Sequence, residues 1–156
     1  KARATGLFES TDYRLARWYD QTGNEHYDGW AFVKFWEVEK YKYGSTMPFI
    51  RKSEMYYIAA EANLENNAPE AYRLLNEVRV SRNLDPLPET LKNDRVALTK
   101  QLIYEYQKDT WGEGKLFYFY KHLFHDIITR EGNIQATKAL FELPIPKDEL
   151  EFGGNE

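Results

Sequence analysis

The chain has 156 residues and a mass of 18.5 kDa, which fits one domain or a large piece of one and allows a sizeable core. Its 21 Lys and Arg against 25 Asp and Glu give a net charge of −4, which argues against nucleic acid as a partner, since a phosphate-backbone binder needs a basic stripe. With 0 Cys, disulfides, Cys-ligated zinc and a thiol nucleophile are excluded, and no apolar run approaches the ~18 residues of a membrane span.

The unusual quantity is aromatic content: 4 Trp, 12 Tyr and 9 Phe, which serve either as core or as platforms that stack on flat ligands. The first residues, Lys1 to Gly6, lack the charged-then-apolar pattern of a signal peptide, and the chain does not start with Met; a fragment or processed chain is expected.

Residues 1–48 read as an aromatic-rich arm with loops. Phe32-Val33-Lys34-Phe35-Trp36-Glu37-Val38 partly alternates and is β-branched or aromatic, which predicts a strand or extended arm. Gln21 to Gly29 is loop-like. Within it, His26-Tyr27-Asp28-Gly29-Trp30 joins hydrogen-bonding groups to two rings, the combination that binds sugars by stacking and by hydroxyl contacts. Tyr27 and Trp30 are therefore the candidate ligand-binding residues, the alternative being that Trp30 is buried at the start of the following strand.

Residues 49–132 read as a helical-hairpin core. Ser53 is a candidate cap for a helix with Met55, Ile58, Ala59 and Ala62 on its apolar face, and small Ala59, Ala60 and Ala62 suit close approach of a partner. Asn66-Asn67-Ala68-Pro69 breaks it, and Pro69 sits in the first turn of the next helix. That helix spaces Ala71, Leu74, Leu75 and Val78 at i, i+3, i+4 and i+7, with Asn83 as a left-handed stop. A short break between two amphipathic helices predicts an antiparallel hairpin. After the loop Asp85 to Glu89, a third helix runs from about Asp94 to Thr110 with Thr99, Leu102, Ile103 and Tyr106 on one face. A fourth starts near Glu113 and carries Leu116, Phe117, Tyr120, Leu123, Phe124, Ile127 and Ile128, a wide face that predicts a central helix ended by Gly132. Residues 133–156 form a tail, in which Leu140 to Pro146 is expected to be extended because each proline pushes its predecessor out of the helical region.

Few motifs carry chemistry. His122, His125 and Asp126 would share one helix face, but no fourth ligand or H-E-x-x-H spacing supports zinc, so they read as a polar stripe. No serine sits in a nucleophile elbow. Gly112-Glu113-Gly114 lacks the Lys-Ser/Thr of a phosphate loop and reads as a turn with positive φ. No catalytic residue, metal ligand or cofactor site is expected.

Several stretches together resemble one family. Ile50 to Ala62 resembles the "R-x-x-E-x-Y-x-x-x-A-E-A" helix of the SusD/RagB family, and Leu75 to Leu84 its "LNxVRxRAGL" segment. Glu105 followed by Gly112 to Tyr118 resembles the "ER…E-x-x-x-EG-x-x-F" segment, and Leu143 to Glu149 the "PIPxxE" tail. Asp12-Tyr13-Arg14-Leu15 and Val33-Lys34-Phe35-Trp36 resemble "DxRL" and "KFW". The order is the family's, across nearly the whole chain. Departures are Tyr106 and Asp109 for Arg and Glu, Leu116 and Phe119 for Arg and Asp, and Asn83 for Gly; they predict that a charge network on the third and fourth helices gives way to packing.

The resemblance implies a mostly α fold with tetratricopeptide-like helical hairpins, here the C-terminal third of a larger domain. It implies a non-catalytic glycan-capture protein on the outer face of the bacterial outer membrane, lipid-anchored outside this chain. The partners implied are an oligosaccharide or polysaccharide and a SusC-like TonB-dependent transporter. Peptide capture and a helical-repeat interaction scaffold are the alternatives. Among the motif residues, Glu61, Arg79 and Glu113 are charges in otherwise apolar stretches, so burial demands partners and predicts at least one Arg–Glu pair between helices.

Overall fold

The computed structural model describes residues 7–20, 31–35, 49–129, 132–142, 144–146, 149 and 151. The chain divides into two compact units, Lys1–Asp109 and Thr110–Glu156.

In the first unit, the Asp12 carboxylate caps helix α1 (Tyr13–Trp18) by accepting from Arg14 N at 2.9 Å. The chain then passes into β1 (Tyr19–Asp20), which pairs antiparallel with β2 (Ala31–Phe32), Tyr19 opposite Phe32. Val33 N donates to Trp18 O at 2.7 Å and extends this narrow ribbon. Ring contacts run Phe8–Tyr19, Tyr19–Phe32 and Phe32–Phe35 at centroid distances of 5.6, 5.2 and 5.9 Å. Phe8 and Tyr19 are buried, so these arm aromatics pack inward. Of the strand expected over 32–38, the paired part is only Ala31–Phe32; the chain turns at Lys34 and Phe35, and residues 36–38 lie outside the described residues.

Helices α2 (Lys52–Asn63) and α3 (Ala68–Ser81) pack as the expected hairpin. Ala60 and Ala71 are fully buried, and such small side chains let the two backbones approach closely. On α3 the apolar spacing holds: Ala71, Leu74, Leu75 and Val78 are all buried, Pro69 lies in the first turn, and Asn83 ends the helix at φ 61°.

On α2 the expected face is wrong. Ser53, Glu54, Tyr57 and Ala60 are buried, whereas Met55 and Ile58 are 50% and 59% exposed. The helix is rotated because Tyr57 finds polar partners inside. Nor is Ser53 the cap: the helix begins a residue earlier, and Glu54 accepts from Arg51 N at 3.0 Å while Glu54 N donates to Arg51 O.

A 3-10 turn (Glu89–Leu91) leads to helix α4 (Arg95–Thr110), whose start is fixed by Asp94 accepting from Ala97 N at 3.0 Å. Its Leu98, Leu102 and Ile103 are buried, with Thr99 and Tyr106 half-buried beside them.

The second unit starts at the last residue of α4 and turns through Gly112 and Gly114 at φ 77° and 73°, as expected. Helix α5 (Leu116–Leu123) is shorter than the sequence pattern predicts. It stops where Phe124 takes a left-handed φ of 47°, and Ile127 and Ile128 belong not to the helix but to β3 (Ile127–Thr129). β3 pairs antiparallel with β4 (Gly132–Ile134), so Gly132 opens a strand instead of ending a helix. The run Ile-Ile-Thr is β-branched, and strand preference overrides an apolar spacing that fitted either structure. Phe117, Tyr118 and Phe124 are exposed and Phe119 and Tyr120 buried, which is not the pattern of a central helix apolar all round. Phe141 is buried on α6 (Lys138–Phe141), with ring centroids of Phe117 and Phe124 at 5.8 and 5.9 Å. The stretch Leu140–Pro146, expected to be extended, thus begins inside the helical turn Lys138–Phe141, while residues 144–146 carry no regular structure. Among the described residues, no helix is long and apolar enough to cross a membrane.

Candidate functional site

Among the described residues of the first unit, a densely bonded polar group grows from one face of α4. Glu105, Lys108 and Asp109 follow at i, i+3 and i+4, a spacing that puts them side by side, and all three are buried. Burying such charges requires partners, and distant parts of the chain supply them.

Arg14, fully buried on α1, forks between three carboxylates. Its Nη2 donates to Asp12 Oδ2 and Glu105 Oε2, both at 2.7 Å, and its Nη1 to Asp109 Oδ1 at 2.7 Å. From α3, Arg79 Nη1 donates to Glu105 Oε1 at 2.8 Å and to Glu9 Oε1 at 3.1 Å. Lys108 Nζ joins Glu9 Oε2 at 2.5 Å to Glu105 Oε1 at 3.0 Å. Just beyond α3, Arg82 Nη2 reaches Asp109 Oδ2 at 3.2 Å. Tyr57 of α2 donates its hydroxyl to the same oxygen at 2.8 Å. The expected Arg–Glu pair between helices is therefore Arg79–Glu105. Glu113, by contrast, has Lys115 Nζ at 3.8 Å, two residues away.

Among the described residues, four acids (Glu9, Asp12, Glu105, Asp109) meet four bases (Arg14, Arg79, Arg82, Lys108), so that group is formally neutral. This corrects the expectation that the third helix loses its charges to packing. Asp109 is one methylene shorter than Glu and still takes three partners, while Tyr106 does pack, edge to face on Tyr57 at 5.7 Å.

Burial would raise the Asp109 carboxyl, but the charges of Arg14 and Arg82 outweigh it and hold the group at about 2. Burial, reinforced by the Asp109 and Glu105 carboxylates, pushes the Tyr57 phenol well above its ordinary value, so it stays a donor. A pH prediction follows for Asp109. Its folded value lies below its unfolded one, so its contribution is fully present above about pH 4 and is lost as pH falls through about 2. The loss is about 2 kcal/mol. Carbon-detected NMR should place the Asp109 carboxyl midpoint below pH 3; a midpoint near the ordinary 3.8 would refute this account.

Chemically the cluster is a lock. Both oxygens of Glu105 and of Asp109 accept from bound cations or Tyr57, and neither side chain reaches solvent. It fastens the Glu9–Arg14 segment to α3 and α4.

Tyr27 and Trp30 lie in the connection between β1 and β2, outside the described residues. The stems of that connection are described. On one side, α1 is tied through Arg14 to the Asp109 carboxylate. On the other, Lys34 Nζ donates to Asp109 O at 2.7 Å and lies 4.0 Å from the Trp18 ring centroid. One residue of α4 thus anchors both stems.

His122, His125 and Asp126 do not share a helix face, since α5 ends at Leu123. His125 Nδ1 faces Asp126 O at 2.9 Å, and Asp126 Oδ1 accepts from Ala136 N at 2.8 Å. Among the described residues, no group of three His, Asp or Glu is placed to hold a metal ion.

The model of the SusD family matches residues 9–120. No curated protein and no solved structure matches the chain.

Proposed function

The chain belongs to the SusD family, and from that membership we propose that it captures nutrient glycan at the bacterial cell surface without turning it over. The family is associated with glycan and nutrient binding at the cell surface and works with SusC-type transporters. In this reading the chain hands oligosaccharide to a TonB-dependent outer-membrane transporter and is held at the membrane by a lipid anchor outside these residues.

The match over residues 9–120 carries the reading, because it spans Glu9, Asp12, Arg14, Arg79, Glu105 and Asp109, whose charges join the arm to the helices. The non-catalytic role comes from the family, and the buried acids Glu105 and Asp109 are not a hydrolytic pair. Hydrolysis of a glycosidic bond calls for one carboxyl with a raised pKa opposite a second one, both open to substrate. Glu105 and Asp109 are closed off, and Asp109 is shifted the other way.

Tyr27 and Trp30 are the proposed platforms. Trp30→Ala should lose about 1–3 kcal/mol of glycan affinity, by analogy with ring stacking on bases, while the melting temperature barely moves. A stability loss of about 3–5 kcal/mol would instead mark Trp30 as core. Calorimetry with product analysis on a panel of oligosaccharides and peptides tests the larger reading. Binding in the micromolar to millimolar range, with no product, is expected. Steady release of shortened sugars overturns the non-catalytic role, and binding of peptides alone reassigns the cargo.

A further inference from the structure

Away from the ionic cluster, α3 carries a groove of about 760 Å³ along its outer face from Pro69 to Ser81, with Lys92 at its wall. None of the eight cluster charges lines it. We propose that this groove is a subsite for an uncharged saccharide, separate from Tyr27 and Trp30; the proposal rests on the glycan-capture reading.

The volume lies within the ~300–1,000 Å³ of small-molecule sites, and a helix rising about 1.5 Å per residue makes the groove roughly 18 Å long, enough for several linked sugar rings. Its polar groups already bond one another and the following loop. Arg73 donates from Nε and Nη2 to the two Glu70 oxygens at 2.8 and 2.6 Å, and from Nη1 to Glu77 Oε1 at 2.6 Å. Tyr72 donates its hydroxyl to Leu87 O at 2.6 Å, and Asn76 Oδ1 accepts from Leu87 N at 2.7 Å, which pins the following loop against the helix. Tyr72 and Asn76, tied to that loop, lose little freedom on binding, while Arg73 and its two glutamates are pairs open to solvent.

Charge selects the class of ligand. Glu70 and Glu77 cancel Arg73 and Lys92 within the lining, so neither an anion nor a cation gains a net partner. A sugar needs none: its hydroxyls both donate and accept, matching carboxylate oxygens alternating with a guanidinium. Its C–H faces need apolar surface, which Pro69, the half-buried Tyr72 and the exposed Val80 offer along the same groove.

The test is an NMR titration of the full 15N-labelled chain with neutral gluco-, xylo- and manno-oligosaccharides. At least one should shift the backbone amides of residues 70–81. Val80→Arg, which fills the groove, should abolish those shifts, and Arg73→Gln should weaken them at least fivefold. Both side chains are exposed, so the melting temperature should stay where it was. Trp30→Ala should leave the α3 shifts in place. An oligosaccharide that binds the chain without touching α3, or α3 shifts that survive Val80→Arg, overturns the subsite alone. Tighter binding of an oligouronate overturns the neutrality argument. Binding of no neutral oligosaccharide overturns the subsite, and if the oligouronate does not bind either, the glycan reading goes with it.

Discussion

Replacing Arg14 with alanine is expected to cost at least about 3–5 kcal/mol of folding stability, a large part of what a domain of this size has. The guanidinium is fully buried and satisfies Asp12, Glu105 and Asp109 at once. The larger penalty lies in what stays behind. Once Arg14 is gone, Asp12 has lost its side-chain partner, and one oxygen each of Glu105 and Asp109 has lost its cation inside the protein. Arg14→Lys should recover only part of the loss, because one ammonium cannot reproduce a planar fork spanning three carboxylates. Urea unfolding measures both variants. If Arg14→Ala fails to fold, Arg14→Lys and Asp12→Asn still report, each with an expected loss above about 1 kcal/mol. Losses near zero in both would show the cluster to be open to water.

The helices were legible in the sequence where apolar spacing met an unambiguous partner. Ala71, Leu74, Leu75 and Val78 repeat at a helical period between a proline start and an asparagine stop, and nothing polar competes for that face. On α2 the same spacing misled. Met55 and Ile58 mark the more apolar side, but Tyr57 turns inward because its hydroxyl finds Asp109, a residue 52 positions away. Hydrophobic periodicity has no term for a polar group satisfied at such range. The end of α5 was missed for a different reason. Ile127 and Ile128 fit a helical stripe and a strand equally well, and their pairing with Ile134 and Asn133 decides.

The polar cluster was half legible. Arg79 stood out as a charge in an apolar stretch and indeed pairs with Glu105 across helices. Asp12 and Arg14 were visible only as a family-like stretch, with no reason to bury them. The signal that could have found them is the spacing of Glu105, Lys108 and Asp109, which continues the buried face of Leu98 and Leu102 with charges. A face that turns from apolar to ionic without leaving the interior demands countercharges from elsewhere, and Glu9 for Lys108 and Arg14 for Asp109 come from the other end of the chain. Tyr27 and Trp30 rest on composition alone and lie outside the described residues.

Arg79→Ala is expected to cost about 3 kcal/mol, at the lower end of the range for a broken buried pair. Two features set it below Arg14. Glu105 keeps Arg14 on one oxygen and Lys108 on the other, so its charge is not abandoned. The second carboxylate that Arg79 holds, Glu9, is 42% exposed and can rehydrate. A third interaction works the other way: Arg79 Nε donates to Asp85 O at 3.0 Å, which ties the loop after α3 to the helix end. Arg79→Lys should therefore lose part of the stability although its charge is intact, because an ammonium on a single tip cannot serve both Glu105 and that carbonyl. A double-mutant cycle divides the effect. Coupling of Arg79 to Glu9, measured with Glu9→Gln, should stay within about 1 kcal/mol, as for a solvent-exposed pair. The remainder then belongs to Glu105 and the loop carbonyl. A total loss under about 0.5 kcal/mol, the scale of an ordinary surface substitution, would mean that Arg79 is merely solvated and that the helices are not joined through it.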